Sequence, residues 1–481
     1  MNLLEKYSRH IVVMLLIMVA LLVLVRPLVS IPFMIPKDYN EGYYALWALR
    51  VFSEEPLYAT PTSLISNGYT PVWYYVIMGF GAILGDIIIA GRILAFLSFI
   101  GVAIAISFVV HSISKSAYAA LFSGILFVGY MAAHHPNYIG MNDPQWLGNA
   151  IMMLGFSLFL VRHETYRHLL AVVVIMAAAG MTKHILIPLP LAITIWLFLE
   201  NRRHFYMWLL SGMAVIFGCL GVLYVAYGSN FFDNILTHNQ VNYSYVTVLY
   251  HIRTWLLPLV PLLGALIIYV LIEPASRYKR LLLIYTSVAC AWGFLLSGGS
   301  GMDMNHIYDF IIALVIIAGL TLHRLGARLQ EIWPRIGVES TSAIILSLGL
   351  LIALPSKAVE ARRAYSDLER RASRVAEDIR HLAAQEGPVL CETMALCYWA
   401  GKSFDADILV LSRKLKSSAL SESEFKQLID DHHFKVIQLH EGGPGGTTSR
   451  LPMTANAYIL EKYEVHPNKM GGAFLVPMTP K

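Results

Sequence analysis

From Ile11 to Pro355 the chain is a succession of apolar runs separated by short polar connections, a pattern that leaves few folds open. The runs fall at about 11–36, 72–84, 92–110, 117–131, 145–160, 169–182, 185–199, 207–227, 254–272, 281–296, 309–322 and 341–355. Most approach the ~20 residues a helix needs to cross a bilayer, and the shorter ones suit tilted or partly irregular helices. With 57% hydrophobic and 14% charged residues among 481, and a mean hydropathy of +0.59, the chain is too apolar for a soluble globule of that size. An α-helical polytopic membrane protein is the expected class.

Basic residues set the expected topology. Lys6/Arg9, Lys115, Arg162/Arg167, Arg202/Arg203, Arg277/Lys279/Arg280 and Arg324/Arg328/Arg335 all fall in connections that should be cytoplasmic. The alternate connections 132–144, 228–250 and 297–308 contain no Lys or Arg, so they should face outward. This alternation holds only if Val72–Leu84 does not cross. Residues 38–90 are therefore read as one long outer loop with helices in the interface, and the count becomes about eleven spans with a cytoplasmic N-terminus. The first run has no small-residue cleavage site after it and reads as a retained signal anchor.

The composition turns soluble at Ser356. Residues 356–481 read as a small C-terminal α/β domain following a transmembrane domain over 1–355. A charged helix is expected over Lys357–Glu386, short strands over Pro388–Cys391, Asp407–Leu411 and Phe434–Leu439, and a turn at Gly443-Pro444-Gly445-Gly446. No nucleotide-phosphate fingerprint is present. Cys391 and Cys397 are close enough in sequence to pair, but buried free thiols are the expected state of all four cysteines.

Polar and ionisable residues gather in the outer connections, which points to one polar chamber at the outer membrane face. Asp38 and Glu41 stand just beyond the first run, among tyrosines. Their spacing fits a capping box, with Asp38 as N-cap and Glu41 as the third helical residue, and fits equally a pair of catalytic carboxylates. Asp143 precedes Pro144 and reads either as a cap or as the partner of Lys183, a cation on the wrong side for the topology rule that needs a carboxylate or a phosphate beside it. Arg92 and Arg253 sit at outer span ends as phosphate ligands or interfacial snorkellers. Asn142, Tyr69, His184, His238, Asn239, Asn305 and His306 have side chains suited to sugars or phosphates, and the Gly298–Gly301 turn is a weak anion-binding signal. The spacing of His134, His135, Asp303 and His306 matches no standard ligand set; a divalent metal is not favoured and no cofactor is expected.

In order along the chain, Asp38-Tyr39-Asn40-Glu41-Gly42, Pro56-Leu57-Tyr58, Tyr69-Thr70-Pro71, Ala90-Gly91-Arg92-Ile93-Leu94, Asn142-Asp143, Thr182-Lys183-His184 and Asn305-His306-Ile307-Tyr308-Asp309 resemble the GT-C superfamily of integral-membrane glycosyltransferases. The likeness is to the branch of protein O-mannosyltransferases and lipid A aminoarabinose transferases, and the tail segment Gly387–Glu392 with Ala400-Gly401-Lys402 is similar to bacterial members. The acidic pair departs from the mannosyltransferase pattern in being spaced rather than adjacent, and His184 stands where glycine is common. The resemblance implies a GT-C fold in a bacterial inner membrane, with the site and tail periplasmic. It implies an inverting hexosyl- or pentosyltransferase with a polyprenyl-phosphate sugar donor, a glycan, lipid or protein acceptor, contact with membrane lipid, and no nucleic acid. Asp38 and Glu41 would then be catalytic, with Asp38 as base and Glu41 fixing the loop. Lys183, His184, Arg253 and Arg92 would bind donor phosphate, and Asp143, Asn142, Tyr69, His238, Asn239, Asn305 and His306 sugar or acceptor. A transporter or flippase of a lipid-linked saccharide would use the same chamber without breaking a bond.

Overall fold

The computed structural model describes residues 3–162, 165–238, 242–332, 338–440 and 450–478. Helix α1 (Leu3–Val29) is followed by a layer of two shorter helices, α2 (Asn40–Leu49) and α3 (Val72–Leu84). Helices α4 (Ile87–Ser114), α5 (Ala117–His134), α6 (Gln145–Arg162), α7 (Tyr166–Thr182), α8 (Pro188–Glu200) and α9 (Arg202–Tyr227) come next. Then follow α10 (Ser229–His238), α11 (Tyr245–Leu256), α12 (Val260–Ile272), α13 (Arg277–Leu296), α14 (Tyr308–Ile332), α15 (Val338–Leu346) and α16 (Leu348–Ala383). Among the described residues, seven helices or continuous helical segments are long and apolar enough to cross a membrane, and the bent pair α15–α16 makes an eighth. The expected eleven is reached only by adding α6, α7 and α8, which pack in the same bundle but are shorter or less apolar.

Helix α14 is the axis of that bundle. Phe310–Ala318 are buried on every face, as expected of a helix apolar all round. Small residues let neighbours close on it: a Cβ at Gly319 would lie 1.8 Å from Ser123 Oγ of α5. At the other extreme, α9 leaves most of its apolar residues exposed, the signature of a lipid-facing helix.

The α2–α3 layer is held by buried aromatics, chiefly Tyr43, Tyr44, Trp47, Tyr58, Trp73 and Tyr74. Its polar stitching uses the sequence motifs noted above: Tyr58 donates to the Tyr69 carbonyl at 2.9 Å and Tyr74 to Asn67 Oδ1 at 2.7 Å. Gly85, with φ +81°, ends α3, and Asp86 caps α4 by accepting from Ile89 N at 2.9 Å.

The composition change at Ser356 lies inside α16, which runs unbroken through Pro355 into the soluble region. Beyond it come β1 (Val389–Cys391), α17 (Met394–Trp399), α18 (Ile408–Lys416), α19 (Glu422–Asp430), β2 (Val436–Leu439), α20 (Met453–Lys462), β3 (Tyr463–Pro467) and β4 (Ala473–Pro477). The strands form one sheet in the order β1-β2-β4-β3, parallel only between β1 and β2, where α17–α19 supply the crossover. One face packs on α18–α20 and the other on α16 and α17. Two expectations are corrected here. Asp407–Leu411 is not a strand: Asp407 caps α18 by accepting from Leu409 N, and Ile408, Leu411 and Leu415 face the core at helical spacing. Cys391 and Cys397 are not free thiols but a disulfide, their Cα atoms 6.0 Å apart across the turn from β1 into α17; Cys219 and Cys290 are free. The expected glycine-rich turn lies outside the described residues.

Candidate active site

The acidic pair is split between two environments. Helix α2 starts at Asn40, its N-cap Tyr39 makes no side-chain cap, and Asp38 Oδ1 accepts from Asn40 N at 2.9 Å. Glu41 reaches back to Lys37 N at 2.8 Å, so each bond of the expected capping box is displaced by one residue. Its main partner is Arg92 of α4, with Nε to Oε1 at 2.7 Å and Nη2 to Oε2 at 2.6 Å, neither side chain reaching solvent. The remaining Arg92 donors go to the carbonyls of Ile31, Phe33 and Ile35. All five guanidinium N–H groups are thereby used, and none is left for a phosphate. Asn142 closes the arrangement, N donating to Glu41 Oε1 and Nδ2 to the Glu41 carbonyl, each at 3.0 Å. Burial alone would raise the Glu41 carboxyl, but the Arg92 charge and hydrogen bonds outweigh it and hold it below the usual range. Arg92 and Asn142, expected at donor phosphate and sugar, are therefore committed with Glu41 to a structural bracket.

A second polar cluster lies where α6 starts and α7 ends. Asp143 Oδ1 accepts from Gln145 N at 2.7 Å, which caps α6, and Lys183 Nζ lies 3.2 Å from the same oxygen. Both readings of Asp143 thus coexist. Tyr44 donates to Oδ2 at 3.0 Å, and the Tyr69 ring centroid stands 5.3 Å from Lys183 Nζ. Lys183 is 2% exposed and Asp143 3%. His184 sits beside Tyr69 with its Nδ1 buried and no hydrogen-bond partner among the described residues. Burial, then the Lys183 charge, push its pKa down to about 4, so its ring is neutral at pH 7. Asn305 joins through Nδ2 to Gln145 Oε1 at 3.3 Å, and His306 Nδ1 lies 2.9 Å from the Asp303 carbonyl.

Asp38 faces the other way, into a cavity of about 310 Å³ between the 36–39 loop and the soluble region. Lys183 and Asp143 are not among the residues that line this cavity. Its walls are Lys37, Asp38, Tyr39, Arg371, Arg374, Glu392, Thr393, His440, Arg450 and Lys469, with Pro36, Val375 and Met470. Partial burial raises the Asp38 carboxyl to about 6, with Asn40 N–H and Arg450 opposing and Glu41 adding to the rise. Lys37 donates to the carbonyls of Ile139 and Gly140 at 3.1 and 2.8 Å, and burial followed by the Arg92 charge lowers its pKa to about 7. The cavity's basic residues escaped the sequence reading because they are scattered from 371 to 469 with no common motif.

Other candidates lie apart. Arg253 is exposed on α11, with no carboxylate partner among the described residues. His238 ends α10, and Asn239 lies outside the described residues. The Gly298–Gly301 turn is used internally: Ser300 N donates to the Asn242 carbonyl and Met302 N to that of Gly299, so its anion-binding signal is corrected to a backbone pairing. His134 and His135 pack against Tyr130 and Tyr308. Among the described residues no group of three or more His, Cys, Asp or Glu is arranged to hold a metal ion.

No protein-family model and no curated protein sequence matches the chain. Solved structures do. ArnT from Cupriavidus metallidurans, bound to undecaprenyl phosphate, superposes with a TM-score of 0.61 at 16% identity over 98% of this chain and 99% of its own. Its apo state gives 0.63 at 15% over the same shares. The chain has the GT-C fold. The oligosaccharyltransferase of Archaeoglobus fulgidus, in its apo form, is similar at a TM-score of 0.52 and 12% identity, covering 91% of this chain and 70% of the archaeal one. The GT-C likeness expected from the motifs therefore extends over the tail as well as the spans.

Proposed function

We propose that the protein is an inverting glycosyltransferase that moves a hexosyl or pentosyl group from a polyprenyl-phosphate carrier to a hydroxyl of an envelope acceptor. The observation that carries this reading is the division within the acidic pair: Glu41 is consumed by Arg92, whereas the Asp38 carboxylate is left open to a cavity. Asp38 takes the acceptor hydroxyl's proton as that oxygen bonds to the anomeric carbon, and the bond from that carbon to the polyprenyl phosphate oxygen breaks on the opposite face. The fold shared with a protein crystallised with undecaprenyl phosphate supports the lipid-phosphate donor. Lys183 contributes by holding Asp143 and the Tyr69 ring and by adding positive potential, while exposed Arg253 is free to contact the departing phosphate. The Cys391–Cys397 disulfide supports an extracytoplasmic tail, since such bonds persist in oxidising compartments.

The deciding experiment incubates purified protein with a labelled polyprenyl-phosphate sugar and an envelope extract, and measures release of polyprenyl phosphate. Asp38→Asn should abolish release while leaving the protein folded. Release at the wild-type rate from that variant would remove the catalytic assignment, and movement of intact donor across vesicles without release would favour a flippase.

A further inference from the structure

The cavity that receives Asp38 carries more positive charge than a neutral sugar requires. Arg371 and Arg374 stand one turn apart on the soluble part of α16, both exposed, and neither pairs with a carboxylate among the described residues. Arg450 lies 3.5 Å over the Tyr39 ring and 3.5 Å from Glu392 Oε1. Glu392 is in turn fixed by His440 N at 2.8 Å, so this acid is already engaged. Lys469 adds a further cation, loosely paired to Glu377 at 3.8 Å. Apart from Asp38 itself, then, the walls hold unneutralised arginines and no unengaged acid.

We propose that Arg371 and Arg374 form a site for an oxyanion, a phosphate or carboxylate group, borne by the acceptor. Guanidinium forks bind such groups bidentately and hold them better than ammonium groups do. The assignment to the acceptor rests on the reading of Asp38 as base. In an inverting displacement the base and the leaving group lie on opposite faces of the anomeric carbon. An anion bound on Asp38's side therefore travels with the nucleophile, not with the departing lipid phosphate. Arg450, in the same cavity wall, orients the acceptor and lowers the Asp38 carboxyl.

The test reads binding, not turnover. The full chain in phosphatidylcholine nanodiscs is titrated with inorganic phosphate at constant ionic strength set by chloride, and separately with undecaprenyl phosphate, by thermal shift. Arg371→Gln/Arg374→Gln should weaken phosphate at least about tenfold, as expected for loss of charge-assisted hydrogen bonds. Undecaprenyl phosphate should stay within twofold, and Arg362→Gln/Arg363→Gln, on the same helix outside the cavity, should change neither. Wild-type protein that shows no phosphate response beyond chloride, or a double variant that binds phosphate as wild type does, would overturn the site. A parallel loss of undecaprenyl phosphate would overturn its assignment to the acceptor. Asp38→Asn should still bind phosphate, so failure of the transfer assay and failure of this site are told apart.

Discussion

Replacing Glu41 by Gln probes the bracket with almost no change in shape. Glutamine's carbonyl can still accept from Arg92 Nε and Asn142 N. Its amide nitrogen, however, then faces two donors, Arg92 Nη2 and Lys37 N, where carboxylate contacts of 2.6 and 2.8 Å stand now. The Arg92 charge, with no solvent exposure, is left without a counter-ion. Breaking one half of a buried pair costs about 3–5 kcal/mol, which is on the order of a hundred- to several-thousand-fold in a local opening equilibrium. Hydrogen exchange over residues 40–49 in nanodiscs reads that opening directly. Glu41→Gln should accelerate these amides by such a factor, and Glu41→Gln/Arg92→Met should recover part of the loss, because the orphaned charge is gone. Asp38→Asn should leave the same amides slow, since its remaining carbonyl still accepts from Asn40 N. Exchange in Glu41→Gln within about threefold of wild type, against the cost expected for a broken buried pair, would refute the bracket and return Glu41 to the candidates for the base.

As the proposed base, Asp38 works only when ionised, and its carboxyl is raised to about 6, so transfer should climb as pH rises through about 6 and then level. Arg450→Gln removes an opposing positive charge and should move that rise to higher pH; an unmoved pH–rate profile would count against Asp38 as the titrating group. Cys391→Ser/Cys397→Ser should destabilise the soluble region by about 2 kcal/mol, the chain-entropy value for so short a loop, measured as faster proteolysis beyond residue 383, and alkylation of unreduced wild type should find neither thiol. Gly42→Ala should be more damaging than its one methyl suggests, because the new Cβ would lie 2.0 Å from Ala395 N; a wild-type melting temperature would show that the α2–α17 contact yields easily.

The spans were legible because hydropathy is a local property, whereas the central place of α14 shows only in its burial on every face. The error at Asp407–Leu411 came from a short run, Ile-Leu-Val-Leu, whose period is ambiguous until Leu415 and the capping Asp407 are weighed. Strand β3 went unseen because only Tyr463 along it is buried, so it offers little hydrophobic pattern, and β4 is a five-residue apolar run too short to show a period. In the site, Asp38, Asp143 and Lys183 could be selected as charges out of keeping with their surroundings. The role of Arg92 could not, since it depends on three carbonyls of the 31–35 turn converging on one guanidinium. The cavity arginines were beyond reach, because a helix, a loop and a strand turn meet there only after folding.

Gly42 and Ala395 are separated by more than three hundred and fifty residues yet touch backbone to backbone. Ribosomes deliver the 38–49 segment among the first tenth of the chain, while the wall it leans on arrives in the last fifth. A nascent chain therefore holds the 38–49 segment long before the wall it leans on exists. A chain cut before Met394 leaves Gly42 with no α17 to pack against, so the soluble region completes the α2 layer as well as its own sheet.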